Sequence, residues 1–592
     1  MSLDPDNPLI VQSDRSLLLH TVRSVMGADG RPAKDDEGRP LTEEHPRFAA
    51  ARDSLSTFAE LEKSPDYLHS YRITPISIWN AAALGLTPTD VERELVGFSC
   101  VPIPQTVLHA IREWMGRYGL LRIERTTDGS AGGFELVSDD GEALEEVLKS
   151  RSVADLVVRA AGRVTLGELA RGPLKQALIR IGFPVDDRGG YLEGDPFGID
   201  LAERPAGPRP FQVRAYQRSA AEAFYRGGSV LGGSGVVVLP CGAGKTVVAL
   251  AVMSLVRTKT LILTTNTIAV RQWREEILDK THLGPDDVGE YTGETKSVRP
   301  VTITTYQMLT WRRSKAGEFE HFGLFRSQNW GLVVYDEVHL LPAPIFRVTA
   351  ELQARRRLGL TATLVREDGK EDEVFCLIGP KRYDVPWKLL ESQGFIATAR
   401  CVELRVPLTP ETKRRYDASD ARGKYRVASE NPQKIEVVQR LLKRHPEGRI
   451  LVIGQYIDQL EALARTLRVP LITGKTPNQE RERLYGAFRS GDERVLIVSK
   501  VGNFAIDLPD ANVAIQVSGT FGSRQEEAQR LGRILRPKSD GSAAVFYAVV
   551  TLGSRDQEFA QKRQLFLTEQ GYSYEIVEAE PSHEGASADG IR

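Results

Sequence analysis

The sequence predicts an α/β protein in which two tandem α/β domains follow an N-terminal α+β domain. Two stretches and the chain length lead to that expectation. Across residues 206–396, short β-rich runs alternate with helical segments: "GVVVLP", "TLILTT", "VTITTY", "LVVYDE" and "RLGLTAT". Such alternation reads as a parallel sheet flanked by helices. Between residues 397 and 576 the rhythm returns in "RILVIGQ", "PLITGK", "RVLIVSK", "ANVAIQVS" and "AVFYAVV", without repeating the sequence. A chain of 592 residues is also too long for one core.

The N-terminal domain, residues 1–205, opens on short mixed segments. Helical apolar spacing marks "SIWNAAALGLTPTDVERELVGFS" and "PQTVLHAIREWMGRYGLLRIE", with a strand after the second. Glycine is frequent from Gly129 to Asp200, and little structure can be read there. "RPAGPRP", Arg204 to Pro210, is the expected linker. The last stretch, residues 577–592, is polar and free of aromatic residues, as in a disordered tail.

Composition excludes several classes. Apolar residues make up 41% of the chain and charged residues 27%, an ordinary globular mixture. No run approaches the roughly 20 apolar residues of a membrane span, and the first residues lack the pattern of a secretory signal. No membrane association and a cytoplasmic location are therefore expected. The four cysteines, Cys100, Cys241, Cys376 and Cys401, lie far apart and form no C-x-x-C pair. That argues against a disulfide framework, a zinc ribbon or an iron–sulfur cluster. With a net charge of −1, any polyanion must meet a local groove.

Chemistry enters at "VVVLPCGAGKTVVAL", where Gly242, Ala243, Gly244, Lys245 and Thr246 stand between a strand and a helix. Glycines let backbone N–H groups face phosphate oxygens, Lys245 reaches the outer phosphates, and the Thr246 hydroxyl suits Mg²⁺. The usual pattern has a glycine five residues before Gly244, where Leu239 stands. In "LVVYDEVHLLPAP", Asp336 and Glu337 fall at the end of a buried strand, where open α/β sheets bind ligands. Asp336 is the expected Mg²⁺ ligand and Glu337 the base for an attacking water; an acid pair capping the next helix is the plainer alternative. His339, two residues on, reads as a sensor of nucleotide state. In "AQRLGRILRPK", Gln529, Arg533 and Arg536 share a helical face, and an arginine on a terminal phosphate stabilises transition-state charge.

"PCGAGKT", "DEVH", "LGLTAT" and "QRLGRILR", in this order, resemble a superfamily 2 helicase of the DEAH/DEVH type. "LTATLVRED", with Arg366, Glu367 and Asp368 after the third motif, is similar to the XPB family of DNA repair helicases in its prokaryotic form. "SKVGNFAIDLPDANVAIQVS", "KRQLFLTEQGYSY" and "SYRITPISIWNAAALGLTPTDV" extend the resemblance over most of residues 8–576. It implies two RecA-like P-loop NTPase domains with ATP and Mg²⁺ between them, a damage-recognition-like N-terminal domain, and 3′-to-5′ DNA unwinding in nucleotide excision repair. It also implies roles for single residues. Gln217 meets adenine, Thr361 and Thr363 couple hydrolysis to motion, Arg533 and Arg536 act as fingers, and Gly502 and Asp507 face nucleotide and cleft. Arg366, Glu367 and Asp368 engage DNA, with a structural ion pair as the alternative. Here "VGNFAID" departs from a more polar loop, and the charged segment near 408–433 replaces a thumb-like element as a helical, basic insertion.

The residues themselves suggest DNA contacts at strand ends: Thr264, Thr265, Gln272, Thr304, Thr305, Tyr306, Thr473 and Lys475. Such groups address phosphate and sugar, while a lone threonine is more often an ordinary strand residue. Three functions stay open: a helicase, a duplex translocase that remodels protein–DNA complexes, and an ATP-gated scaffold. A partner nuclease or repair protein fits the family, and no residue names it.

Overall fold

Valine, isoleucine and leucine fill the five-residue runs of both α/β domains, and these runs fold as strands covered on both faces, the condition of a parallel sheet. The structure, a computed structural model, describes residues 4–578 except 5, 27–32, 35–40, 64–66, 127–132, 161, 168–169, 189–192, 204–210, 229–231, 315–318, 322–327, 341–355, 363–373, 375–377, 380, 500–510, 520–530 and 533–543. The chain divides into two units, Met1–Leu239 with Gly244–Asp384, and Pro240–Ala243 with Val385–Arg592.

The N-terminal part of the first unit holds, among the described residues, a two-stranded ribbon of Val22–Ser24 and Thr42–Glu44 and two larger sheets. One is antiparallel and four-stranded, with the strands in the order Leu9–Val11, Ser16–His20, Leu68–Arg72 and Glu60–Lys63. It shares a core of Leu17, Leu19, Phe58, Ile78, Val91 and Ile111 with the neighbouring helices. Two of those helices begin at Thr-Pro pairs. Thr74 and Thr87 each cap the N–H three residues on, with Pro75 and Pro88 in the first turn, where no N–H is needed. The other sheet has five strands of three to six residues between Leu121 and Asp187, packed around Ile123, Phe134, Leu136 and Leu174.

Before the expected linker, the chain already runs along the start of the first parallel sheet. The Asp195 N–H donates to the Asn329 carbonyl (3.0 Å), Phe197 to Arg257 (3.0 Å) and Ala202 to Lys280 (2.9 Å). Residues 195–202 therefore pack with the first α/β domain, although they precede residue 206. The linker stretch itself lies outside the described residues.

That domain contains β1 (Ser234–Val238), β2 (Thr260–Thr264), β3 (Val288–Tyr291), β4 (Val301–Thr305), β5 (Leu332–Asp336), β6 (Arg356–Thr361) and β7 (Lys381–Asp384). All pairings are parallel, in the order β3-β4-β2-β5-β6-β1-β7. The helices used below are α1 (Ala215–Tyr225), α2 (Lys245–Val256), α3 (Thr267–Lys280) and α4 (Tyr306–Thr310).

The second unit repeats the plan with β8 (Ala399–Val406), β9 (Ile450–Gly454), β10 (Leu471–Ile472), β11 (Val495–Ser499), β12 (Val513–Gln516), β13 (Ala544–Thr551) and β14 (Tyr574–Glu578). Its order, β10-β11-β9-β12-β13-β8-β14, is the first order with every number raised by seven. The last strand runs to Glu578, taking in the first two residues of the expected tail. The charged insertion forms α5 (Pro410–Asp417) and α6 (Ala421–Ser429), started by the Thr409 and Asp420 side chains. Tyr416 and Tyr425 anchor it: the Tyr416 hydroxyl accepts from the Arg555 N–H (2.9 Å), and the Tyr425 hydroxyl donates to the Gly519 carbonyl.

Candidate active site

The phosphate loop leaves β1 through two glycines in left-handed backbone, Gly242 at φ 81° and Gly244 at φ 78°. A side chain is costly in that region. At Gly244 it is also blocked by space, because a Cβ there would lie 2.5 Å from the Gln217 amide nitrogen. Gly244 starts α2 and, lacking a side chain, supplies no cap of its own to the first-turn N–H groups, the kind of groups that suit an anion. Leu239, where the usual pattern has glycine, extends the strand, its N–H donating to the Thr361 carbonyl (3.0 Å). Gln217, on α1, is 3% exposed and accepts the Arg214 N–H at 2.9 Å. Its amide thus lies against the loop.

Three strand ends of the first sheet meet through four side chains. Lys245, first in α2, reaches Glu337 Oε1 with Nζ at 2.9 Å. The other oxygen, Oε2, stands 3.5 Å from His339 Nδ1, which is 2.7 Å from Thr361 Oγ1. His339 and Thr361 are buried. Groups following β1 and β5 are thereby linked to the end of β6. Glu337 itself has φ 50°, left-handed for a residue with a side chain, a strain of the kind that clusters at functional sites.

Asp336 ends β5 beside this chain of contacts. Two aromatic residues hold it: Trp273 on α3 donates Nε1–H to Oδ2 (2.9 Å), and the Tyr306 hydroxyl donates to the Asp336 carbonyl (2.8 Å). Motif reading missed the Trp273 contact. Its only sequence signal is that a buried indole N–H needs an acceptor. Burial, and then the charge of Glu337, push the Asp336 carboxyl up to about 6, against the pull of Lys245 and Trp273. Burial raises the Tyr306 hydroxyl well above the usual tyrosine range, with the Asp336 charge adding to it. Among the described residues no cluster of three or more histidine, cysteine or carboxylate groups could hold a metal. The oxygen donors Thr246 and Asp336 fit Mg²⁺, which takes one or two protein ligands and completes its shell with phosphate and water.

The expected DNA contacts divide. Thr264 and Thr304 are fully buried, and their hydroxyls lie against backbone carbonyls, Thr304 Oγ1 donating to Tyr291 at 2.6 Å. Thr305 caps α4 by accepting the Met308 N–H, and Tyr306 spends its hydroxyl on Asp336. These four serve the fold, because strand-end side chains facing the sheet interior must satisfy buried carbonyls and N–H groups. Thr265, Gln272 and Thr473 are half-buried and Lys475 is exposed, so they keep polar atoms near solvent, as Thr246 does in α2. Thr363, Arg366, Glu367, Asp368, Gly502, Asp507, Gln529, Arg533 and Arg536 lie outside the described residues.

Known proteins match along the whole chain. A family profile described as "ERCC3/RAD25/XPB C-terminal helicase" matches residues 390–588, and "Type III restriction enzyme, res subunit" matches 210–366. A third, "Helicase conserved C-terminal domain", matches 36–162, a stretch of helices and antiparallel strands outside both seven-stranded sheets. A Kineococcus radiotolerans protein named DNA 3'-5' helicase XPB is 50% identical over 589 residues, covering 99% of each chain. Its Mycobacterium tuberculosis namesake is 49% identical over 577 residues, 97% of this chain and 98% of that one. A Halobacterium salinarum protein, "Putative DNA 3'-5' helicase Rad25", is 35% identical over 590 residues, 98% and 91% of the two chains. With a furnished phosphate loop, two parallel sheets of one topology and relatives of this extent, the chain belongs to the XPB family of helicases.

Proposed function

We propose that the chain is an ATP-dependent DNA helicase that moves 3′ to 5′ and works in DNA repair, nucleotide excision repair included. The observation that carries this reading is the meeting of Lys245, Glu337, His339 and Thr361 beside buried Asp336. Hydrolysis of a terminal phosphate needs a cation for the phosphate, an acid for the metal and a base for the water. One edge of the first sheet supplies all three. Relatives whose names state DNA and direction span nearly the whole chain.

Thr246 and Asp336 would hold Mg²⁺, which would supply positive charge against the charge that builds up on the phosphates. The chain's own residues do the rest. Incoming phosphates draw Lys245 away from Glu337, and the freed carboxylate takes the proton of the attacking water. His339 and Thr361 register that release and pass it into β6. Gln217 and the Gly242–Gly244 turn border the nucleotide. The family resemblance alone supports Gln529, Gly502, Asp507, Thr363, the Arg533 and Arg536 fingers and the Arg366–Asp368 triplet. A cytoplasmic setting belongs to the same proposal; the structure adds only that no described helix is long and apolar enough to cross a membrane.

One observation favours a second reading, a translocase that separates few strands. An Antonospora locustae relative, 34% identical over 550 residues, is named a "helicase/translocase subunit" of a transcription and repair factor. Forked duplexes with a 3′ or a 5′ single-stranded tail, given ATP, decide the matter. Unwinding from the 3′ tail is expected. DNA-stimulated hydrolysis without strand separation would favour the translocase, and ATPase indifferent to DNA would end both readings.

Trp273 gives a further prediction. Trp273→Phe keeps the ring and removes the donor to Asp336. Loss of a hydrogen bond behind a metal ligand should raise the Mg²⁺ concentration for half-maximal ATPase roughly 10–100-fold. An Mg²⁺ titration of wild type and variant measures it; superimposable curves would free Trp273 of that role.

A further inference from the structure

Tryptophan is the residue a fold hides most profitably, and this chain has six. Trp79, Trp273, Trp330 and Trp387 are at most 8% exposed, and Trp114 is half-buried. Trp311 alone stands out, at 46% exposed. It is also firmly mounted. Its N–H donates to the Met308 carbonyl (3.4 Å) at the end of α4, and its own carbonyl accepts the Glu320 N–H (3.3 Å). The His321 ring lies 5.6 Å from it at a 37° tilt. His321 is fixed in turn by the Tyr291 hydroxyl, 3.0 Å from Nδ1. The indole is thus held from behind and open in front.

Its place matters. The short helix α4 follows the carboxyl end of β4, and β4 is separated from β5 only by β2. Strands lie about 4.8 Å apart, so β4 stands roughly 10 Å along the sheet from the strand of Asp336. Cations neighbour the indole: Arg312 and Arg313 are the next two residues and are exposed, the Arg312 guanidinium lying 5.5 Å over Phe319, and the Lys296 ammonium lies 4.6 Å over Tyr291. Among the described residues Glu320 answers Arg313, at 2.6 Å. Meanwhile Thr264, Thr304, Thr305 and Tyr306, the groups expected to meet DNA at this edge, are turned inward. An open aromatic face beside cations is the recurring means of holding single strands without sequence preference.

We propose that Trp311 is a stacking platform for a base of single-stranded DNA, with Arg312 as a phosphate contact next to it. This rests on the helicase reading above and adds a contact that phosphate-binding hydroxyls do not supply. Because stacking is sequence-tolerant, the platform suits a protein that must pass over every base in turn.

The test uses the full chain and an oligo-dT strand. Indole fluorescence should be quenched on binding. Trp311→Ala should lose most of that quenching and raise the DNA concentration for half-maximal ATPase roughly five- to a hundredfold. Trp311→Phe should recover much of the affinity, which a purely structural tryptophan would not explain. A Trp311→Ala protein that binds and responds to the strand as wild type does overturns this inference alone. A wild-type chain that takes up no strand at all overturns the helicase reading, and this inference with it.

Discussion

Glu337→Gln should leave ATP binding in place and lower DNA-stimulated turnover roughly 10²–10⁴-fold. An amide cannot take a proton from water, so the chemical step loses its base. The rest of the site has little reason to move. The amide oxygen still accepts from Lys245, now 2.9 Å from Oε1, so the lysine keeps a partner. The left-handed backbone at φ 50° burdens glutamate and glutamine alike. Lys245→Ala is the contrast, because it removes the phosphate contact and should weaken binding and turnover together. Nucleotide affinity and single-turnover hydrolysis, measured on both variants, separate the two cases. Full hydrolysis by Glu337→Gln would remove Glu337 from the mechanism.

Asp556→Ala should destabilise the second unit by about 3–5 kcal/mol, the usual cost of stranding a buried charge. Lys434 and Asp556 form an ion pair at 2.7 Å, with side chains 0% and 1% exposed. The lysine also donates to the Val517 carbonyl (2.8 Å), and Asp556 Oδ2 accepts the Thr551 N–H (3.1 Å). One pair thus ties the helix Gln433–Arg444 to the ends of β12 and β13. Burial pulls the lysine below its ordinary range, although Asp556 opposes the shift. Truncating the acid leaves the ammonium facing a carbonyl and little else to balance it. The double variant Lys434→Met, Asp556→Leu should regain part of the loss, since the ammonium is then no longer stranded and only Arg563, 3.9 Å from Asp556 Oδ1, loses its carboxylate. Urea unfolding followed by a probe in the second unit reads both; an unchanged midpoint in Asp556→Ala would show the pair to be dispensable.

Much of the site was legible because its chemistry is local. Gly242 and Gly244 are demanded by backbone angles within one turn, and Asp336 with Glu337 must end a buried strand. What stayed hidden depends on distance along the chain or on atypical strands. The Trp273–Asp336 bond joins residues 63 positions apart, and no spacing rule finds such a pair. Tyr306 and Thr304 sit where DNA contacts were expected, yet neighbouring carbonyls claim their hydroxyls. In β8, "ARCVELRV", the charges disguise a buried strand: Glu403, 1% exposed, is satisfied by Arg405 (2.6 Å) and Gln564 (2.7 Å). At the sheet margins β7 and β14 are short and incompletely buried, so hydrophobic alternation is weak. In the five-stranded N-terminal sheet Leu121–Arg125 was expected as the strand after the second helical unit, while the other strands are too short or too little buried to show a clear period.

Both sheets have one wiring diagram, so each has a first strand whose exit could seat a triphosphate. After β1 that exit bends through Gly242 and Gly244; after β8 it reads "PLTPETKRRYDASDAR", with no glycine before Gly423 and two short helices filling the space. Among the described residues the duplicate frame is furnished once. One furnished seat per chain leads to the expectation of one nucleotide bound per chain, with the second sheet free of that task.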